Sequence, residues 1–197
     1  MKKILVNLFL FSALCISFSS LNGCGSPQAS PPTVTANQPT NAAPSSKGSD
    51  YPPIPASVAS GEIKNLDGTT FSVGDKKGKV VLLNLWATWC GPCRGEMPRL
   101  VAMQDKYRDK DFEILGINTD DEPVSVINSF RDQMKLNYTL VWSSSQLQSD
   151  LLKISKFPGI PQSFLIDREG RLRGVFTGGN PKTVAQMEST VDSVVTE

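Results

Sequence analysis

The sequence predicts a mixed α/β sandwich. Apolar, β-branched segments of strand length alternate along the chain with segments that have helical spacing of apolar residues. Strands separated by helices favour parallel pairing, because a parallel pair needs a long crossover connection. A hairpin near the end of the chain favours an antiparallel strand at one edge.

The individual elements follow from local patterns. Residues 79–86 form an apolar, β-branched-rich run with the length expected for a buried strand. Helical spacing of Leu100, Met103 and Tyr107 predicts a helix over residues 94–108. The later elements are strands over residues 112–118, 138–142, 162–167 and 172–176, and helices that end near residue 134 and cover residues 147–153 and 181–195.

The second strand is followed by an acidic run, Asp120-Asp121-Glu122-Pro123. Asp121 is predicted to cap the next helix, with Pro123 in its first turn. A cation site is the alternative for this run, but a solvated turn and a helix cap explain it. The last two strands are joined by Arg-Glu-Gly at residues 168–170, which predicts a hairpin turn.

Composition excludes several chemistries. The chain has 197 residues, a formal net charge of +1, four cysteines and no histidine. Without imidazole, the chain cannot use Ser-His-Asp or Cys-His activation, or histidine ligands for zinc or haem. The near-neutral charge gives no reason to expect nucleic acid as a partner. We expect one domain with additional segments, no metal and no cofactor other than a redox-active disulfide.

The first 23 residues predict an export signal. Two lysines precede an apolar run over residues 4–18, which is short for a membrane span and typical of a secretory signal. The run leads into Leu-Asn-Gly-Cys at residues 21–24, which resembles the lipobox of bacterial lipoproteins. That resemblance implies that Cys24 is lipidated and becomes the new N-terminus. An uncleaved anchor, or a cysteine beside a plain cleavage site, is the alternative.

Residues 24–57 are predicted to be a lipid-attached linker. This segment is rich in Pro, Ser and Thr, and has almost no large apolar side chains. It cannot bury enough apolar surface to offset the entropy of ordering, so we expect an extended spacer. A proline-rich docking ligand is the alternative. Residues 58–197 then form the folded domain.

The chemistry lies in Cys90-Gly91-Pro92-Cys93, which follows a predicted strand and opens a helix. Unpaired N–H groups and the helix dipole would stabilise a Cys90 thiolate, making it the attacking nucleophile. Cys93, one turn later and partly covered, would then attack the mixed disulfide. Two thiols cannot supply the four ligands of a structural zinc site, and Arg94 stands where haem attachment needs histidine. A purely structural disulfide is the remaining alternative.

Residues 84–98, NLWATWCGPCRGEMP, and the Gly-Ile-Pro at residues 159–161 resemble the extracytoplasmic thioredoxin-like proteins of the TlpA and ResA type. The resemblance implies a three-layer thioredoxin-like sandwich, with a central mixed sheet flanked by helices and a TlpA-type βα insertion around residues 121–152. It also implies a cis peptide bond before Pro161, which leaves the backbone of Ile160 free to pair with substrate.

The resemblance assigns further site residues. Asn84 stands where cytoplasmic thioredoxins carry a buried aspartate, and an amide cannot act as a base. Glu96, three residues after Cys93, is therefore a candidate for proton transfer; a first-turn carboxylate stabilised by the helix dipole is the alternative. Trp86 is expected in the core. The substrate-facing surface is expected to comprise Trp89, Gly91, Pro92, Ile160 and Pro161.

The resulting functional prediction is an exported, lipid-anchored thiol-disulfide oxidoreductase that faces the periplasm or extracytoplasmic space. Gly-Pro between the cysteines is shared with thioredoxin, a strong reductant at about −270 mV, which favours reduction of protein disulfides. The resemblance implies a membrane thiol-electron donor and apocytochrome c as client, and we expect a monomer. A thiol peroxidase is one alternative, although Ala87 stands where peroxiredoxins have threonine. A tethered client-binding module without turnover is the other.

Overall fold

The computed structural model describes residues 50–197. The predicted signal peptide, Cys24 and most of the predicted linker lie outside the described residues. The elements in chain order are α1 Ala56–Ala59, β1 Glu62–Asn65, β2 Thr70–Ser72, a 3-10 helix Val73–Lys76, β3 Val80–Trp86, α2 Gly91–Lys106, β4 Phe112–Asn118, α3 Val124–Met134, β5 Thr139–Ser143, α4 Ser145–Ser155, β6 Gln162–Ile166, β7 Leu172–Thr177 and α5 Pro181–Thr196.

The seven described strands form one mixed sheet in the order β2-β1-β5-β4-β3-β6-β7. β4 pairs in parallel with β3 and β5. β6 and β7 form the predicted antiparallel hairpin at one edge. At the other edge, β1 and β2 form a second antiparallel hairpin, which the sequence analysis did not predict.

The central strand β3 is buried along its whole length and contributes to both faces of the sheet. Val80, Leu82 and Trp86 belong to a core that also includes apolar side chains of α2, α3 and α5. Val81, Leu83 and Leu85 belong to a second core, with α1 and α4. The structure therefore confirms the three-layer sandwich, and burial on both faces explains why every residue of β3 except Asn84 is apolar.

The start of α3 corrects one prediction. α3 begins at Val124 and its N-cap is Pro123, with no capping bond from a side chain, so the assignment of Asp121 as the cap is wrong. The neighbouring acidic side chains have other partners: Asp120 accepts a hydrogen bond from Trp89, and Glu122 accepts one from Thr88. The acidic run therefore connects to the loop before the cysteines instead of capping the helix.

The folded part of the chain begins before residue 58. The amide of Ile54 donates to the carbonyl of Gly170 at 3.0 Å, and the amide of Leu172 donates to the carbonyl of Pro52 at 3.0 Å. The second bond is possible because proline keeps its carbonyl acceptor and the edge strand β7 has free backbone groups. Tyr51 adds an aromatic ring, 4.2 Å from the guanidinium carbon of Arg173. No helix within residues 50–197 combines the length and the hydropathy needed to cross a membrane.

Candidate active site

The two cysteines lie at the start of α2, after the short loop that connects it to β3. Cys90 is the N-cap of α2, and its sulfur accepts a hydrogen bond from the Cys93 amide at 3.2 Å. Cys90 and Cys93 form a disulfide, with 5.3 Å between their Cα atoms. Pro92 lies in the first turn, where a missing N–H costs nothing. The predicted placement of the motif at a helix N-terminus is confirmed.

The two cysteines differ slightly in exposure. Cys90 is 3% exposed and Cys93 is fully buried, more covered than the sequence analysis expected. Gly91 and Pro92 are exposed beside them. Trp89 is 70% exposed, as predicted for a surface residue, whereas Trp86 lies in the core. Of the two cysteines, Cys90 therefore keeps the larger exposed fraction, and the residues exposed around it are Trp89, Gly91 and Pro92.

The peptide bond between Ile160 and Pro161 is cis, as predicted. Within the described chain, the backbone N–H and C=O of Ile160 have no backbone hydrogen-bond partner, whereas the carbonyl of Pro161 accepts from the amide of Gly178 at 2.9 Å. The Ile160 backbone is thus available to pair with an extended segment of another chain.

Gly179 lies between the cis-proline Pro161 and the cysteine motif. The sequence analysis did not identify this glycine as a site residue. A Cβ at this position would lie 2.6 Å from the carbonyl oxygen of Pro92 and 3.3 Å from Cγ of Pro161. Only glycine permits this close approach of the two segments. The Gly178–Gly179 pair after the last strand was the available signal, but its meaning depends on tertiary contacts.

The side chain of Gln162 stabilises the segment that precedes the cis-proline. Its side chain is buried, and its amide nitrogen donates to the carbonyls of Phe157 and Gly159. These bonds hold the turn that precedes the cis-proline.

Glu96 is a buried acid on α2. It is only 4% exposed and accepts a hydrogen bond at 2.8 Å from the side-chain amide of Asn84, which also donates to the Ser163 hydroxyl at 3.0 Å. Burial raises the pKa of Glu96 to about 7, although the bond from Asn84 opposes the rise. The first turn of α2 contains no acidic residue, so the alternative of a first-turn carboxylate is wrong.

The arrangement has the parts of a dithiol redox site. A sulfur lies at a helix N-terminus, a second sulfur is buried one turn later, and open backbone groups lie beside them. Residues 50–197 contain no cluster of three or more Cys, Asp or Glu side chains that could hold a metal ion. This fold with this disulfide defines the class of thioredoxin-like thiol-disulfide oxidoreductases.

Comparison with known proteins agrees with that class. The family model named Redoxin matches residues 38–195, and the chain belongs to this family. Thioredoxin-like protein YneN of Bacillus subtilis (strain 168) is 31% identical over 132 residues, which cover 66% of this chain and 74% of YneN. Thiol-disulfide oxidoreductase ResA of Bacillus thuringiensis subsp. konkukian is 34% identical over 110 residues, which cover 56% of this chain and 61% of ResA.

Solved structures give the same result. A thiol:disulfide interchange protein of the thioredoxin family from Chlorobium tepidum TLS has a TM-score of 0.61 and 28% identity, covering 74% of this chain and 99% of that one. A thiol:disulfide interchange protein from Bacteroides sp. has a TM-score of 0.56 and 27% identity, covering 72% of this chain and 93% of that one. The chain is therefore a thiol-disulfide oxidoreductase with a Cys-x-x-Cys site.

Proposed function

We propose that this enzyme reduces disulfides of client proteins outside the cytoplasm. The observation that carries the proposal is the disulfide between Cys90, which is the N-cap of α2 and the more exposed of the two cysteines, and the fully buried Cys93 one turn later. Gly-Pro between the cysteines supports the reducing direction, because thioredoxin has the same dipeptide and a potential of about −270 mV.

The first step uses Cys90 as nucleophile. In the reduced enzyme, the N-terminal N–H groups of α2, including that of Cys93, stabilise a thiolate on Cys90. The thiolate attacks one sulfur of the client disulfide. A bond forms between Cys90 and the client, the client S–S bond breaks, and the second client sulfur leaves as a thiolate that takes up a proton.

The second step uses Cys93 and Glu96. Glu96 accepts the thiol proton of Cys93, directly or through one water, since its pKa of about 7 suits a base at neutral pH. The Cys93 thiolate attacks Cys90, re-forming the Cys90–Cys93 disulfide, and the first client sulfur leaves as a thiolate. Two electrons have then passed from the enzyme dithiol to the client disulfide.

The client binds beside the cis-proline. The free backbone N–H and C=O of Ile160, the residue before the cis-proline Pro161, pair with an extended client segment. Trp89, Gly91 and Pro92 form the exposed surface around Cys90 and contact the same segment.

Location and partners follow from the sequence. Residues 1–23 direct export, Cys24 carries the lipid anchor, and residues 24 onward tether the domain to a bacterial membrane. A membrane protein with a reducing dithiol returns electrons to the Cys90–Cys93 disulfide. The client class we propose is apocytochrome c before haem attachment, in which a disulfide must be opened.

Two experiments test this proposal. The reduced full chain is mixed with a peptide that contains a disulfide-bridged Cys-x-x-Cys-His segment, and thiol release is followed. We expect one peptide disulfide to be opened for each enzyme disulfide formed, with no reaction for Cys90→Ser; a folded enzyme that leaves the peptide oxidised would contradict the function. Separately, labelled fatty acid should be incorporated in bacteria by the natural chain and not by Cys24→Ala, and equal labelling would contradict the anchor.

A further inference from the structure

Tyr138 is a buried tyrosine that the proposed reaction does not use. It lies just before β5 and is 6% exposed, and its hydroxyl oxygen is buried without a hydrogen-bond partner among the described residues. Two buried side-chain atoms of β3 also lack a partner among these residues, the oxygen of Asn84 and the indole nitrogen of Trp86. Because buried polar groups are almost always hydrogen-bonded, these three atoms need an explanation.

Gly116 of β4 brings the three groups together. A Cβ at Gly116 would lie 3.0 Å from Cε2 of Tyr138 and 3.2 Å from the indole nitrogen of Trp86, so both side chains lie over this glycine. In the sheet, Gly116 is the partner of Asn84 on β3. Neighbouring strands are about 4.8 Å apart, and Asn84 and Trp86 share one face of β3 because they are two residues apart. Tyr138 therefore lies beside the amide that holds Glu96.

Glu96 is the charged group that acts on Tyr138. Burial, and after it the negative charge of Glu96, raise the pKa of Tyr138, so the phenol keeps its proton at neutral pH. The pKa of Glu96 is set by burial and by the bond from Asn84, and no basic side chain of residues 50–197 contributes to it. Glu96 therefore becomes ionised without a cation to stabilise its charge.

The basic side chains on the same helix have other partners. The guanidinium carbon of Arg94 lies 5.7 Å from the centre of the Phe130 ring. Arg99 donates to the carboxylate of Glu188 on α5. On β6, the Ser163 hydroxyl reaches Glu96 only through the shared amide. The phenol hydroxyl is the remaining polar group beside this carboxyl.

We propose that Tyr138 is a positioning residue for Glu96: its hydroxyl bonds the Glu96 carboxyl, directly or through one buried water, and so favours the ionised form. This inference rests on the proposed function, in which Glu96 takes the proton of Cys93. A phenol hydroxyl both donates and accepts hydrogen bonds. It donates to the carboxylate before the proton arrives and accepts from the carboxylic acid afterwards, and it keeps its own proton throughout. A bridging water would also supply partners for Trp86 and Asn84.

The experiment follows the titration of Glu96 by NMR in the oxidised full chain, with glutamate labelled with carbon-13 at the side-chain carboxyl. The Glu96 signal is the one that Glu96→Gln removes. We expect a midpoint at about pH 7 in the natural chain. Tyr138→Phe should raise the midpoint by about one pH unit, because it removes a donor to the ionised form.

Tyr107→Phe is the matched control. It removes the same hydroxyl from a tyrosine at the C-terminal end of α2, where the hydroxyl bonds Asp192 on α5. We expect it to leave the Glu96 midpoint unchanged.

A second measurement keeps Tyr138 in place and does not depend on the folding of Tyr138→Phe. The chain has three tyrosines, so a carbon-13 label at the phenol carbon gives three signals. Tyr51→Phe and Tyr107→Phe identify two of them. The Tyr138 signal should move with the same midpoint as Glu96, and it should not move over this pH range in Glu96→Gln.

The pH profile of client reduction measures the consequence for the reaction. In Tyr138→Phe the pH of half-maximal rate should rise by the same amount as the Glu96 midpoint, whereas a merely structural change would lower the rate equally at every pH.

Four outcomes would overturn the inference. They are an unchanged Glu96 midpoint in Tyr138→Phe, an equal rise in Tyr107→Phe, a Tyr138 signal that does not follow the titration of Glu96, and a raised midpoint with an unchanged pH profile. If the natural chain reduces no client disulfide, the proposed function fails, whereas the two titrations still decide whether Tyr138 acts on Glu96.

Discussion

Replacing Glu96 by Gln removes a carboxyl group whose ionisation is unfavourable in the folded state. Burial places the pKa of Glu96 at about 7, against an ordinary value of 4.5. The chain has no histidine, so no other side-chain type normally titrates between these values. Gln has nearly the same shape and can still accept the hydrogen bond from Asn84.

The sign and size of the effect follow from proton linkage. Between pH 4.5 and about 7 the folded state keeps the proton of Glu96, whereas the unfolded state loses it. Stability from this group is therefore fully present below pH 4.5 and is lost as the pH rises through about 7. At about 1.4 kcal/mol per pKa unit, the full loss is about 3 kcal/mol, and Glu96→Gln should not show it.

The assay is urea unfolding of the oxidised full chain and of Glu96→Gln over this pH range. In the disulfide form neither cysteine titrates, and contributions from other groups cancel in the difference between the two proteins. We expect the free energy of unfolding of the natural chain to fall relative to Glu96→Gln by about 2 to 3 kcal/mol between about pH 5 and about pH 8. A difference that stays constant within about 0.5 kcal/mol would refute the raised pKa.

Three further predictions concern the same site. Gly179→Ala forces a Cβ against the cysteine motif and should lower the free energy of unfolding, measured in urea, by about 1 to 3 kcal/mol. The control Gly95→Ala, whose Cβ would have no atom within 4 Å, should be neutral or stabilising. Equal free energies of unfolding for the two variants would contradict the close approach at Gly179. Cys93→Ala should accumulate a mixed disulfide with the client, seen by non-reducing electrophoresis, and its absence would deny Cys93 the resolving role. Asn84→Asp puts a second carboxyl group beside Glu96 and should move the pH dependence of client reduction to higher pH. An unchanged pH profile would mean that Glu96 does not take part in proton transfer during client reduction.

The centre of the fold was predictable from the sequence because burial leaves a strong pattern. β3 is covered on both faces, so all of its residues except Asn84 are apolar, and this pattern predicts a buried strand. The β1–β2 hairpin was missed because its strands have four and three residues, and only Ile63 is fully buried in them. The Asp67-Gly68 pair in its turn was a usable signal, since glycine there has a φ of 91°.

The site was predictable only where one short segment carries the chemistry. The cysteines and the cis-proline lie in motifs that can be read locally. The positions of Gly179 and Asp120 could not be predicted, because each acts through a partner at least 30 residues away in the chain. Asp120 was assigned to a solvated turn for this reason. Burial of Glu96 likewise depends on how α2 packs on the sheet.

The most direct test of the central claim is the midpoint potential of the Cys90–Cys93 pair, measured by equilibrating the full chain with redox buffers and quantifying its thiols. A reductant of client disulfides needs a potential low enough to donate electrons. We predict a value near that of thioredoxin, about −270 mV. A value near that of the oxidant DsbA, about −120 mV, would contradict the account.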